Sequence, residues 1–130
     1  MREWYSIDDE VLLELEKDYG ILESEYKSEK SEKTKFYSNL LNRHLSEEQQ
    51  NDIHNGSKCL TYTSEFPFKK FNIQIVIAIN ITNNITTHFK FSTIISIDDA
   101  INLRNNPRFR ELVKFTFYIE DKYKNIKNQL

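Results

Sequence analysis

From Phe71 to Thr82 the chain reads FNIQIVIAINIT, with Phe71, Ile73, Ile75, Ile77, Ile79 and Ile81 at alternate positions. Period-two alternation of this length predicts a strand with one buried face, and β-branched side chains suit a pleated surface. Each such side chain contributes roughly 1.5–3 kcal/mol when fully buried. The intervening positions, Asn72, Gln74, Val76, Ala78, Asn80 and Thr82, are small or polar and carry no charge. A face or edge of that kind invites pairing, so a strand, a helix or a partner is expected to cover it.

The next segment, ITTHFKFSTII from Ile85 to Ile95, alternates in the same phase. Pairing Ile81 with Ile85, Ile77 with Phe89 and Ile75 with Phe91 puts the large apolar residues on one face. That register predicts a three-residue loop, Thr82-Asn83-Asn84. A two-residue loop would set the isoleucines against His88 and Lys90 instead. Upstream, Lys58 to Thr63 reads as a short strand, interrupted at Phe66-Pro67-Phe68 because proline cannot donate to a ladder.

Helical periodicity governs both ends. Leu12, Leu15, Tyr19, Leu22 and Tyr26 are spaced by 3, 4, 3 and 4, one apolar stripe behind an N-cap at Ser6. The stripe keeps phase across Gly20, which predicts one helix, with a stop at Gly20 as the alternative. Phe36, Tyr37, Leu40, Leu41 and Leu45 form a second helical face. Ser46 with Gln49 forms a capping box that opens a third helix, closed at Asn55-Gly56. Ser96 caps a short helix before Asp98 and Asp99, and Asn106-Pro107 starts another. The last segment is contested: KFTFYIE, residues 114–120, alternates like a strand, whereas the cap favours a helix.

These elements define an α+β fold. Helices at about 7–28, 36–45 and 46–55 pack on a three-stranded antiparallel meander at about 58–64, 70–82 and 85–95. A short helix at 97–105 and a C-terminal helix at 107–125 follow, with a strand at 114–120 as the alternative. The chain of 130 residues is expected to be one domain, with an exposed polar joint at 27–35 and a frayed tail at 124–130.

Composition narrows the class. With 29% charged and 38% hydrophobic residues the chain resembles an ordinary globular protein. Cys59 is the single cysteine, which fits a reducing compartment, and MREWYSIDDE has no apolar run of signal-peptide type. A cytoplasmic location and no membrane association are therefore expected. The sequons at Asn80 and Asn84 read as chance in an Asn/Ile/Thr-rich segment. Charge is divided unevenly: residues 1–56 hold 7 Lys/Arg and 14 Asp/Glu, while residues 57–130 hold 11 and 6. Either the two halves attract each other, or one face is acidic and suits a basic partner.

Candidate chemistry is sparse. His44, His54, Cys59 and Asp52 lack the short chelate spacing of a zinc site. Cys59 with a histidine has no local signature of a catalytic dyad, and His88 falls on the outward face of its strand. The carboxylate pairs Asp8-Asp9, Glu47-Glu48 and Asp98-Asp99 each open a helix, where capping explains them. Neither glycine lies in a phosphate-binding loop. The cations of Pro107–Lys127 interleave with aromatics, but a core would claim those aromatics. The reading is thus a non-enzymatic binding protein that needs no metal or cofactor. Glu14, Asp18, Glu23, Glu25 and Tyr26 are its expected partner-binding residues, because charge speeds association and tyrosine supplies hot spots. The expected partner is a protein with a basic surface. An immunity protein for a cognate toxin, such as a nuclease, fits this profile best. A phage-encoded inhibitor of a host defence nuclease and a nucleic-acid-binding accessory domain are the alternatives. Homodimerisation through a sheet edge is a further expectation.

Overall fold

The computed structural model describes residues 8–55, 60–68, 71–79 and 85–123. Among these residues six helices and three strands follow in the order α1 (Asp9–Glu16), α2 (Tyr19–Glu29), α3 (Thr34–His44), α4 (Glu47–His54), β1 (Leu60–Phe68), β2 (Phe71–Ile79), β3 (Ile85–Phe91), α5 (Ile97–Arg104) and α6 (Pro107–Tyr123). The strands form an antiparallel meander of order β1-β2-β3, so the α+β architecture is as the sequence predicts. Ser6 and the segment 124–130 lie outside the described residues, as do Thr82-Asn83-Asn84.

Several boundaries differ from expectation, each for a physical reason. The helix expected at 7–28 is two helices, and the break falls at Lys17-Asp18 rather than at Gly20. Asp18 leaves helical geometry at φ −99°, ψ 6°, and its carbonyl accepts the Leu22 amide. The stripe survives the break: Val11, Leu15, Leu22 and Tyr26 are buried. The polar stretch at 27–35 divides between the end of α2, a turn in which Glu32 and Lys33 both donate to the Glu29 carbonyl, and the start of α3.

β1 continues through Pro67 to Phe68 instead of stopping at 64. It is an edge strand, where a missing amide donor is tolerated. β3 ends at Phe91, and Ser92 closes it by exchanging hydrogen bonds with the Asn72 backbone through its own amide and hydroxyl. Between β2 and β3 the register pairs Ile73 with Phe91, Ile75 with Phe89 and Ile77 with Thr87. This is two residues away from the predicted pairing. Both registers keep odd positions opposite odd positions, so the buried face is the expected one. The alternation alone could not choose between them.

At 107–123 the helix prevails over the strand. Asn106 supplies the reason: its side-chain oxygen accepts the Arg108 and Phe109 amides, and Pro107 fills the first helical position. The strand-like alternation of Phe115, Phe117 and Ile119 arises because α6 is covered on more than one side. Phe115 and Ile119 pack with Ile75 and Ile77 of the sheet. Phe117 meets the rings of Tyr19 and Tyr26 on α2. Eight of its residues are buried, from Phe109 to Tyr123.

The core has two lobes around this helix. One gathers Tyr26, Tyr37, Leu41 and Ile53 about Ile75, Ile77, Phe115 and Ile119. The other gathers Val11, Leu15, Leu22 and Leu103 about Ile73, Phe91, Phe109 and Val113. Phe89 and Phe117 touch both lobes. The opposite face of the sheet carries Thr61, Thr63, Thr86 and His88, all exposed.

Gly20 lies inside α2, and a Cβ there would meet nothing within 4 Å. Gly20→Ala is therefore expected to stabilise the protein by up to about 1 kcal/mol through a stiffer unfolded chain. Urea denaturation checks this; a lower midpoint would show that the α1–α2 junction needs glycine.

Candidate functional site

The five expected partner-binding residues do not form one free surface. Glu14 pairs closely with Arg104 of α5 and lies 2.8 Å from Lys17. Asp18 lies 3.0 Å from Arg110 and 3.8 Å from Arg104. Glu25 lies 2.8 Å from Lys114 and 3.8 Å from Arg110. Tyr26 is 3% exposed, and its hydroxyl donates to Asp121 at 2.8 Å. Glu23 stays outward in an exposed pair with Lys27, 3.2 Å away. Four of the five are thus occupied inside the fold.

What they build is a chain of ion pairs. Glu29 lies 3.2 Å from Lys114 and 3.3 Å from Lys33, and Glu111 lies 3.5 Å and 3.1 Å from the same two lysines. Contacts therefore run from Lys17 through Glu14, Arg104, Asp18, Arg110, Glu25, Lys114 and Glu29 to Lys33. Acids of α1 and α2 meet bases of α5 and α6. Much of the sequence's charge asymmetry is consumed here, in the attraction of one half for the other.

A sequence signal for this existed. Glu14, Asp18, Glu25 and Glu29 are spaced by 4, 7 and 4, the same helical period as the buried stripe beside them. Acids in phase with an apolar stripe border the core rather than face solvent. Their partners gave no such warning, because Arg110 and Lys114 read only as part of the basic, aromatic region Pro107–Lys127 and Arg104 as the end of the short helix at 97–105.

Among the described residues Lys114 is the most buried charge, 4% exposed. Burial works against its ammonium, but the Glu25 and Glu29 carboxylates overcome it and hold its pKa well above the ordinary lysine value. Lys33 is raised by Glu111 and Glu29 against the same penalty. The Lys114 hydrogen bond in turn holds the Glu29 carboxyl below the usual range.

A second feature is a cavity of about 540 Å³ between α3, the edge strand β1 and the start of α6. Phe36, Leu40, Arg43 and His44 form its α3 wall. Ser64, Glu65 and Pro67 form the β1 wall, and Arg108, Glu111 and Leu112 close one end. His44 Nδ1 is hydrogen-bonded to Ser64 Oγ, and its ring lies 5.5 Å from that of Phe115. Burial, with Arg43 adding to it, lowers the His44 pKa and favours the neutral imidazole. Nucleophilic activation of a serine needs an imidazole oriented by a third group. Among the described residues no carboxylate is hydrogen-bonded to this one; the His44–Ser64 hydrogen bond ties α3 to β1. Phe36, Leu40, Arg43 and His44, at i, i+4, i+7 and i+8, share one helical face, the one sequence signal for this wall.

Another open cavity, about 520 Å³, lies beside Tyr26, Thr34, Tyr118 and Lys122. Among the described residues no group of three or more His, Cys, Asp or Glu side chains could hold a metal ion. The side chains of His54 and Cys59 lie outside that description. No described helix is long and apolar enough to cross a membrane. No protein-family model, curated protein or solved structure matches this chain.

The pH dependence of stability follows from these groups. Glu14, held low by Lys17 and then Arg104, and Glu29 contribute stability that is full above the ordinary 4.5 and lost as pH falls through their lower folded values. His44, lowered from 6.5, adds a loss as pH falls below that value. Lys33 and Lys114, raised above 10.5, contribute stability that is full below that pH and lost as pH rises through their folded values. Tyr19 and Tyr123, pushed by burial from 10.0 to about 12, act in the same direction. Urea midpoints should therefore be level between about pH 7 and 10 and fall on both sides. A midpoint that holds level down to pH 3.5 contradicts the carboxylate pairing.

Proposed function

We propose that the protein is a non-enzymatic binding protein that covers part of the surface of a basic protein partner. What supports this reading is the outer side of α1 and α2. Leu13 and Ile21 are 66% and 56% exposed there. Glu10 and Glu16, both exposed, flank Leu13 at i−3 and i+3 on α1, and Glu23 is exposed on α2. Glu10 and Glu16 have no ion pair among the described residues. Large apolar side chains ringed by charge are the composition of an interface core and its rim. The ion-pair chain adds to this, because it takes in Arg104, Arg110 and Lys114 and leaves Glu10 and Glu16 outside it, while Glu23 pairs only with its exposed neighbour Lys27. It also weighs against nucleic-acid binding through those three cations.

Within that class, an immunity protein for a cognate toxin with a nuclease-like basic surface is the reading we favour. A phage-encoded inhibitor of a host nuclease would use the same surface. Occlusion of this kind needs no cofactor.

The test is affinity purification with the full chain, followed by an affinity measurement on the partner recovered. Combined Glu10→Lys, Glu16→Lys and Glu23→Lys is expected to weaken binding by at least about 2 kcal/mol, near 30-fold, while the urea midpoint stays within error. Reversing Glu14, Asp18 and Glu25 would break the ion-pair chain and report on stability instead. Undiminished affinity after the first reversal contradicts the proposal.

A further inference from the structure

The cavity beside β1 is lined in a way that defines its shape. Ser64 faces the helices, since its hydroxyl meets His44, whereas Glu65 and Pro67 belong to the opposite face of the sheet. Residues from both faces of one strand can line one groove only if the groove runs along that strand's edge. β1 is an outer strand of the meander, with β2 on its other side. The facing wall is the α3 stripe from Phe36 to His44. Eight residues of helix rise about 12 Å, the span of about four residues of extended chain. Phe36, 46% exposed, leads an apolar wall continued by Leu40 and Leu112.

Charge selects what such a groove accepts. Arg43 and Arg108 are exposed at its rim, and neither has an ion pair among the described residues. Of the two acids in the lining, Glu111 is paired with Lys33 and Lys114, and Glu65 has an interaction of its own. We infer that this groove binds an extended segment of a partner protein, about four residues long, that pairs with the edge of β1 and carries a carboxylate beside apolar side chains. The backbone would add to the sheet, Phe36, Leu40 and Leu112 would take the apolar side chains, and the two guanidiniums would hold the carboxylate. Strand addition of this kind draws affinity from the main chain and specificity from alternate side chains, and arginine forks suit a carboxylate. The site is independent of the outer surface of α1 and α2, because it uses different elements and the opposite charge.

The test is selection of a random hexapeptide display library on the full-length protein, then titration of the enriched synthetic peptide by fluorescence anisotropy. Enriched peptides should contain Asp or Glu next to Val, Ile, Leu or Phe. Arg43→Glu with Arg108→Glu, both exposed and so compatible with folding, should weaken binding by about tenfold or more. Combined Glu10→Lys, Glu16→Lys and Glu23→Lys should leave it unchanged. In nitrogen-15 NMR spectra the peptide should shift the amides of residues 64–66, Pro67 having no amide proton, and slow the exchange of those that point away from β2. Peptides lacking an acid, equal binding to the arginine variants, no enrichment, or self-association of the chain through β1 in place of peptide capture would each overturn the inference.

Discussion

A helix covered on several sides can carry a charge inward only if the counter-charge comes with it. Lys114 sits in the middle of α6 and is almost fully buried. Desolvating an ammonium costs several kcal/mol unless carboxylates meet it. Glu25 and Glu29 on α2, with Glu111 one turn back on α6, meet that condition. The requirement fixes how α2 lies along α6. It also sets which side of α2 is left for solvent. The phenolic ring of Tyr26 then falls beside Phe117 and its hydroxyl reaches Asp121, so a residue suited to an interface becomes a core residue with a polar end.

From Lys114 the ion pairs extend in both directions, to Lys33 at the start of α3 and through Arg110, Asp18 and Arg104 to Glu14 on α1. Exposed ion pairs contribute little one at a time. Here the half-buried members border the apolar lobes and connect segments about 90 residues apart in sequence. Their role is orientation as much as stability. They hold the acidic half against the basic half, and so they decide which carboxylates remain outside. Those are the ones that the proposed partner surface uses.

How far the sequence could be read follows from the range of each interaction. Caps are local, and the ones at Ser46, Ser96 and Asn106 are where the residue types place them. Alternation is local too, and it correctly assigned the buried face of β2. Register is not local. Pairings that differ by two residues bury the same isoleucines, and the choice depends on the turn and on how Phe89 and Phe91 meet α6 and its neighbours. The break at Asp18 was hidden for a similar reason: its carboxylate is drawn to Arg104 and Arg110, which no pattern within residues 7–28 could announce. The ion pairs of Glu14, Asp18 and Glu25 within the fold were not legible, because helical spacing places acids on a face but does not say what lies opposite. The groove beside β1 was equally illegible, since its walls come from α3, β1 and α6.

The claim that the two halves are held together by charge is tested most directly by a double-mutant cycle between Lys114 and Glu29. Lys114→Met, Glu29→Gln and the double variant would be compared with the parent protein by urea denaturation at neutral pH. A coupling energy of about 1 kcal/mol is expected, because each single change removes the 3.2 Å contact at a nearly buried ammonium, while Glu25 still meets Lys114 and Lys33 still meets Glu29. Additive effects, with no coupling beyond about 0.3 kcal/mol, would contradict the account.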